Sequence, residues 1–521
     1  MGKPFALRWR VGGQPALNGF TSDPEALGCA YTDNFDTRWL EQGLLGPLLT
    51  VVDCSGAAGT AANANSGDFT NGIDAAEKLV MSRGTQPAII KLSTRLNVAD
   101  ASATVLGERC TQVKYVKNAA GTEEVCLMMA GTIFRVGTAF PDTGGYTHTA
   151  NNESFILRYL GNPPSDNNAT GQMYAVGRGT GTPENKVYTN ILSGSVTMDA
   201  SAFQEIAVIS GEPFTFTGIV TDGDQIIPLT SNGPYYLNET FRQFMALIPE
   251  LDNNTNNGLG AAVWSLLGTL IPLTRSLRLQ RNTFAGQVGP EAFDNNNTPV
   301  QGRCTALWFS DRWGYAAFYN AVTTVTYICA FAKRAEGDGH NNPISWFTIA
   351  TFAAELDCEF GIYAGTKGGV TSPTCYVGQD DDAAWFLEGR QPLFPSDTLM
   401  TYAASGTWFG TQFRGSQDAL IQEIWFRTSG CTAPAATGEN VTPVLAYVDH
   451  LGVDRTVTGP AMQTNGLHVW RLPNPIRASW FNPRMVLARG STTTNTPKVL
   501  GDVILRGEWL APRDSDGVGA Q

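Results

Sequence analysis

A chain of 521 residues is long enough for two or three domains with cores of their own, so neither disulfides nor a structural metal is needed for stability. Charged residues make up 16%, against roughly 25% in ordinary soluble domains, while Gly (56) and Pro (28) are abundant; this is the composition of many strands joined by turns, with little room for helix. The net charge of −12 argues against a general phosphate-tracking surface, because nucleic-acid affinity rests on clustered Lys and Arg.

In chain order, the opening Met1–Arg10 lacks the continuous apolar core of a signal peptide, and Sec-dependent export is not expected. Residues 1–84 hold few sustained strand patterns and much Gly, Ala, Asn and Asp, notably Ser55–Gly72, which reads as an extended N-terminal arm reaching toward neighbouring subunits. Residues 85–410 change to short β-branched and aromatic runs closed by glycine, such as Thr132–Gly137, Gln172–Gly177, Phe360–Gly365 and Thr374–Gly378. Gly223–Leu237 reads as a hairpin around a Ser-Asn-Gly turn, and Leu307–Phe318 repeats the rhythm with two aromatic runs flanking a polar turn. Taking strand anchors at Ile89, Ile133, Met173, Ile226, Leu270, Leu307, Ile362 and Trp408, the intervals run from 37 to 55 residues. Propeller blades recur at roughly 40 to 50 residues, so about six or seven blades fit, with an array of β-sandwiches as the rival. The apolar stretch Gly258–Leu273 reads as a helix or a buried strand; it is too short and too interrupted to span a membrane, and Trp264 within it reads as core. Residues 411–521 shift to longer alternating strands, Ala419–Arg427, Pro443–Asp449 and Lys498–Trp509, which suit a C-terminal β-sandwich followed by a mobile tail.

Motifs for chemistry are sparse. Nine cysteines, an odd number with no C-x-x-C pair, sit in apolar runs such as Val125-Cys126-Leu127 and read as small buried hydrophobes. No serine has the G-x-S-x-G frame of a nucleophile elbow, Ser193 included, and the four histidines, His148, His340, His450 and His468, form no H-x-x-x-H pair. The cluster Asp380-Asp381-Asp382 with Trp385 and Glu388 contains the residue types for Ca²⁺ or for glycoside hydrolysis, but lacks EF-hand spacing and reads first as a solvated loop. No catalytic, cofactor-binding or metal-binding residue is therefore assigned, and no cofactor is expected.

Three stretches carry a resemblance. They are Gly12-Gly13 with Asp33-Asn34-Phe35-Asp36 and Gly43–Leu48; the Gly223–Tyr235 hairpin; and the ending, with Ile421-Gln422-Glu423-Ile424 and a closing strand over Val503–Gly507. Together they resemble tail and connector proteins of tailed bacteriophages whose middle is a β-propeller. The resemblance implies an all-β virion protein, a nozzle, tail-tip or adaptor made in the host bacterial cytoplasm. It would assemble as a homo-oligomeric ring against neighbouring tail proteins and would not be an enzyme. It transfers no catalytic position, and the Ser-x-Asp-x-Gly-x-Thr-Trp boxes of sialidase-like propellers are missing, Ser310–Gly314 sharing only fragments. The alternative is a carbohydrate-binding or polysaccharide-degrading propeller acting in host recognition, with a host surface glycan as partner and Trp308, Trp313 or Trp385 as sugar platforms. Contact with DNA is left open.

Overall fold

The computed structural model describes residues 3–12, 20–38, 42–54, 299–333, 343–353, 358, 360–380, 382–389, 400–434 and 438–510, and between 64 and 290 the strands with a few flanking residues. Among these residues the fold is all-β. Helical structure among the described residues is confined to the single 3-10 turns Pro24–Ala26 and Lys367–Gly369.

From residue 50 to 387 the strands pair antiparallel in runs of four: 64–97, 110–147, 156–209, 216–246, 262–289, 303–353, and 361–387, the last completed by Thr50–Val52 from the N-terminal side. The third and fourth runs are bridged once, in parallel, at Val208 and Gln243. The first strands of successive runs lie side by side: Ala64–Thr70 touches Cys110–Lys117, and so on to Ala262–Trp264. Arg303–Phe309 touches Gly361–Gly365, which returns to Ala64–Thr70. The result is a propeller-like ring of small sheets.

Adjacent runs bury one face against the next, which is why their middle strands carry almost unbroken apolar residues. Leu270, Leu279 and Val288 pack with Phe318, Phe331 and Trp346. Trp308, Tyr315, Ile328 and Phe347 pack with Cys375, Val377 and Phe386 of the following sheet. Val52, Tyr376 and Phe360 of that sheet then pack with Leu79, Met81 and Ile90 of the first, which joins the ends of the ring. Each fully buried Leu, Ile or Phe side chain contributes about 1.5–3 kcal/mol. Gly361 is required by this packing: a Cβ there would sit 2.1 Å from the Trp308 ring.

The strand anchors read from the sequence at Ile89, Ile133, Met173, Ile226, Leu270, Leu307 and Ile362 fall one in each run, and Trp408 falls in a separate sheet. Both hairpins are present: Leu229 faces Pro234 and Thr230 faces Gly233, with Ser231 and Asn232 outside the described residues, and Phe309 faces Gly314. In Gly258–Leu273 the described parts are strands, Ala262–Trp264 and Gly268–Pro272.

The residues expected to form a β-sandwich lie in one eleven-stranded sheet, coiled into a nearly closed barrel around Trp9, Trp408, Phe426, Phe481 and Leu505. Its axis is the 23-residue strand Gly466–Ala488, which pairs with Gln412–Ser429, Ser405–Gly410 and Asn440–Asp449 along its length. The stretch 1–84, expected as an extended arm, contributes paired strands to the barrel and to the ring. Lys3–Arg10 pairs with Lys498–Trp509 over eight residues, Cys29–Asp33 with Ser405–Gly410, and Gln42–Leu45 with both Phe35–Asp36 and Lys498–Trp509. The physical reason is period-two burial: Leu7 and Trp9 point into the barrel while Ala6, Arg8 and Arg10 point out. Residues 511–521, expected as a mobile tail, lie outside the described residues.

The 29–48 segment also fastens the barrel to the ring. Thr32 donates to the Thr348 carbonyl at 2.7 Å, and Asn34 accepts from the Thr351 amide at 2.9 Å. Gly46 lies so close to this seam that a Cβ would meet the Ile349 carbonyl oxygen at 1.9 Å. Gly46→Ala is therefore expected to cost about 1–3 kcal/mol. Gly28→Ala, whose nearest neighbour would be 4.0 Å away, serves as the mild comparison. Equal melting temperatures for the two variants would refute the tight seam.

At the hairpin joining Asn440–Asp449 to Asp454–Thr458, Asp449 accepts from the Leu451 and Val453 amides at 2.8 and 3.0 Å and from Arg455 Nε at 2.6 Å. The Arg455 hydrogen bond, then the amides, hold its carboxyl down at about 2. A depressed folded-state value means that this group's contribution is full above the unfolded value near 4 and is lost as pH falls through 2. Amide exchange at Leu451 and Val453 is expected to stay slow at pH 4 and rise only toward pH 2, beyond the intrinsic pH trend; a rise centred near pH 4 would contradict the arrangement.

Candidate functional site

Where the barrel, the 303–353 sheet and the 361–387 sheet meet, a polar network is built on residues that the chain brings from far apart. Asp36 ends the short strand Phe35–Asp36, and Arg38 follows two residues on, so that both project to the same side. Tyr315 comes from Gly314–Asn320, Ser310 from the turn before it, and Glu388 from just after Asp382–Leu387. Arg38 Nε lies 3.1 Å from both Asp36 carboxylate oxygens and Nη2 lies 2.8 Å from Oδ2. Arg38 Nη1 donates to the Tyr315 hydroxyl at 3.3 Å, and that hydroxyl donates to Glu388 Oε1 at 2.7 Å. Ser310 donates to the same Glu388 oxygen, while its own hydroxyl oxygen accepts from the Trp313 amide at 3.0 Å. Arg38 Nη2 also reaches the Glu388 carbonyl at 3.4 Å.

The charged centre of this network is out of water, with Ser310 half-buried at its margin. Asp36 and Tyr315 are fully buried, Glu388 is 3% exposed and Arg38 6%. Burial alone would lower the Arg38 guanidinium's proton affinity, but Asp36, with Tyr315 and Glu388, more than offsets it and holds the group above its ordinary range. Burial, and then the Glu388 charge, push the Tyr315 hydroxyl well above its ordinary value, so it acts as a neutral donor. One guanidinium between two carboxylates, with a phenol and a hydroxyl supplying the remaining donors, is the pairing that a buried charge requires. Chemically the arrangement is a clamp: it fixes the 36–38 segment against two neighbouring sheets.

Two of the residues singled out from the sequence belong here. Glu388 is the network's second carboxylate, and Trp313 lies half-buried with the Arg38 guanidinium 5.5 Å from its ring. Trp308 is 4% exposed and stacked on Tyr315 at 5.3 Å, which takes it out of consideration as a sugar platform. Trp385 lies apart, half-buried beneath Arg95 at 4.3 Å. Asp380 is an exposed turn residue with φ +50°, Asp382 pairs with Gln379 and accepts from the Cys54 amide at 2.8 Å, and Asp381 lies outside the described residues. His468 sits 2.8 Å from the Thr428 hydroxyl, His450 is an exposed turn residue, and His148, His340 and Ser193 lie outside the described residues. Among the described residues no group of three or more His, Cys, Asp or Glu is placed to hold a metal ion, and no helix is long and apolar enough to cross a membrane. The seven cysteines whose side chains are described are buried and form no disulfide, and burial raises the thiols of Cys54 and Cys329 to about 12, which makes them packing groups.

Arg38 was not singled out from the sequence, and Asp36 and Tyr315 entered only as members of the Asp33–Asp36 stretch and the Leu307–Phe318 hairpin, with no site role. The available signal was an Asp-Thr-Arg step flanked by Phe35 and by Trp39-Leu40, where charge must be paired if the segment is buried.

No protein-family model matches the chain, nor does any curated protein. Among solved structures, it is similar to BBS1N crystallised in complex with ARL6DN, at 10% identity over 67% of this chain and 98% of that one, with a TM-score of 0.41. The extracellular domain of the hybrid two-component system BT4673 from B. thetaiotaomicron matches at 10% identity over 85% of this chain and 60% of its own, with a TM-score of 0.43. A chain of the Chaetomium thermophilum Polycomb Repressive Complex 2 matches at 10% identity over 66% of this chain and 98% of its own, with a TM-score of 0.39.

Proposed function

We propose that this chain is a structural component of a tailed-bacteriophage virion, a nozzle, tail-tip or adaptor protein. In this reading the ring has seven blades, one for each run of four strands, and the coiled C-terminal sheet acts as a two-layered sandwich fixed to it. Copies assemble into a symmetric ring against other tail proteins, in virions formed in the bacterial cytoplasm. The observation that carries the reading is the buried Arg38–Asp36–Glu388–Tyr315 clamp, together with the Thr50–Val52 strand that enters the last run from the barrel side. Both devices tie the two bodies into one stiff unit, which suits a part that transmits force and less a part that must open around a ligand.

The test is made on purified particles of the phage encoding the chain. Mass spectrometry is expected to find the chain in stoichiometric amounts with the tail proteins, and electron microscopy to show a ring of barrel-and-propeller density in the tail. Abundant chain in the lysate with none in the particles would overturn the proposal.

A further inference from the structure

The barrel's outer surface carries a groove that the clamp does not use. It lies across three strands, Gly466–Ala488, Gln412–Ser429 and Lys498–Trp509, whose outward side chains are aligned: Val469, Trp425 and Ile504 in one row, Leu467, Arg427 and Leu500 in the next. Trp425, Leu467, Leu500 and Ile504 line an open volume of about 470 Å³, within the roughly 300–1,000 Å³ of binding clefts. Arginines surround it. Arg427 stands in the lining, Arg8 and Arg10 extend the face opposite Ile504 and Asp502, and Arg506 lies 3.8 Å from the Trp425 ring. Arg471 is paired with Glu423 at 3.1 Å, so Asp502 is left to balance the other four, an excess of three positive charges. Such a groove selects aliphatic side chains carried beside an acid.

The chain itself carries that combination. Elsewhere among the described residues the exposed large apolar side chains are Val51, Leu96, Val322, Leu451 and Val453. Leu96 sits beside Arg95 and opposite Lys91, a basic turn that the arginines would repel. Val322 stands on the turn Asn320–Thr324, which holds no acid. Val51 is a single side chain inside the paired strand Thr50–Val52, a flat edge and not a projection. Leu451 and Val453 differ from these: they project together, 72% and 46% exposed, at the tip of a hairpin, with exposed Asp454 next in sequence. Arg455 is taken up by Asp449, so Asp454 leaves the tip acidic. The tip is also stiff, because Asp449 accepts from the Leu451 and Val453 amides and its own amide donates to the Val453 carbonyl at 3.0 Å, so that docking it requires little further ordering. It does not reach its own groove. Asp449 pairs with Ala478 of the strand Gly466–Ala488, whereas the groove lies at Leu467–Val469 of that strand, about 30 Å back along it.

We infer that the Leu451–Val453 tip of one copy docks in the Trp425 groove of the next, with Asp454 set among the arginines. Tip and groove are different surfaces, so the contact is head-to-tail, and such contacts close into rings when the rotation per copy permits. The inference rests on the ring of the proposed function and deepens it by naming its two surfaces. It is read on the purified chain, and so can fail while the chain is still found in virions, or hold when it is not.

The experiment is sedimentation velocity of the full chain from low to high micromolar concentration. Wild type is expected to self-associate, more weakly as salt is raised. Leu451→Ser with Val453→Ser, which blunts the tip, and separately Arg427→Glu with Leu467→Glu, which spoils the groove, are each expected to lower the association constant roughly tenfold or more. All four side chains face solvent, so melting temperature is expected to stay unchanged; should a double variant melt early, Asp454→Lys alone repeats the test. An equimolar mixture of the two double variants joins the intact groove of the first to the intact tip of the second, and is expected to stop at a one-to-one dimer. A wild type that stays monomeric, a blunted tip or spoiled groove that associates normally, or a mixture that stays monomeric would each overturn the inference.

Discussion

Replacing Arg38 by methionine is expected to lower the unfolding free energy by about 3–5 kcal/mol, read from the denaturant dependence of tryptophan fluorescence. Its side chain is 1% exposed and its partner Asp36 is 0% exposed, so the change takes from the Asp36 carboxylate the guanidinium that neutralises it in a low-dielectric seam. Arg38→Met combined with Asp36→Asn removes that carboxylate's charge together with the cation, and is expected to cost less than the two single changes summed, by about 0.5–3 kcal/mol. Tyr315→Phe, which deletes the hydroxyl joining Arg38 to Glu388, is expected to cost about 1–3 kcal/mol. A loss below about 1 kcal/mol for Arg38→Met would mean that the seam is wet and the clamp does not fasten the two bodies.

Trp9→Ala is expected to be about as damaging, at about 3–5 kcal/mol. Trp9 is fully buried in the barrel, lies near Phe481 at 6.3 Å, and donates its indole N–H to the Thr411 carbonyl at 2.8 Å. The substitution leaves a large cavity and strands a buried carbonyl, while Trp9→Phe keeps much of the volume and is expected to cost less. Limited proteolysis provides a second readout: cleavage within Lys3–Arg10 should accelerate in Trp9→Ala, because the strand is held by this side chain and by its pairing to Lys498–Trp509. Unchanged stability and protection would show that the first strand is an accessory to the barrel.

The period-two pattern was legible wherever local pairing builds the sheet. The hairpins at 225–238 and 303–320 follow from alternation and turn chemistry, because neighbours in sequence are neighbours in the sheet. The recurrence of strand anchors at blade-like spacing has the same origin. The long C-terminal strands were equally plain, since Ala419–Arg427, Pro443–Asp449 and Lys498–Trp509 fall inside observed strands. The first 84 residues were not read this way. Their strands Lys3–Arg10, Cys29–Asp33 and Gln42–Leu45 pair with partners hundreds of residues away, so no local turn announces them, and Gly43 and Gly46 mark close approach of other strands.

The candidate residues divide along the same line. Composition singled out Trp308, Trp313, Trp385 and Glu388 as chemically expressive side chains, but their roles depend on what stands opposite: Tyr315 beneath Trp308, Arg95 over Trp385, Ser310 and Tyr315 on Glu388. Asp36 and Arg38 acquire meaning only when the barrel sets them against the 303–353 and 361–387 sheets. The sequence alone determined an all-β chain of short, glycine-punctuated strands with a low-charge surface, because pleating and turn geometry act between adjacent residues. The tertiary structure alone decided that the N-terminal strands enter the barrel and the ring, that one guanidinium is buried between two carboxylates, and that five arginines gather on one outer face, because long-range pairing chooses which side chains share a space.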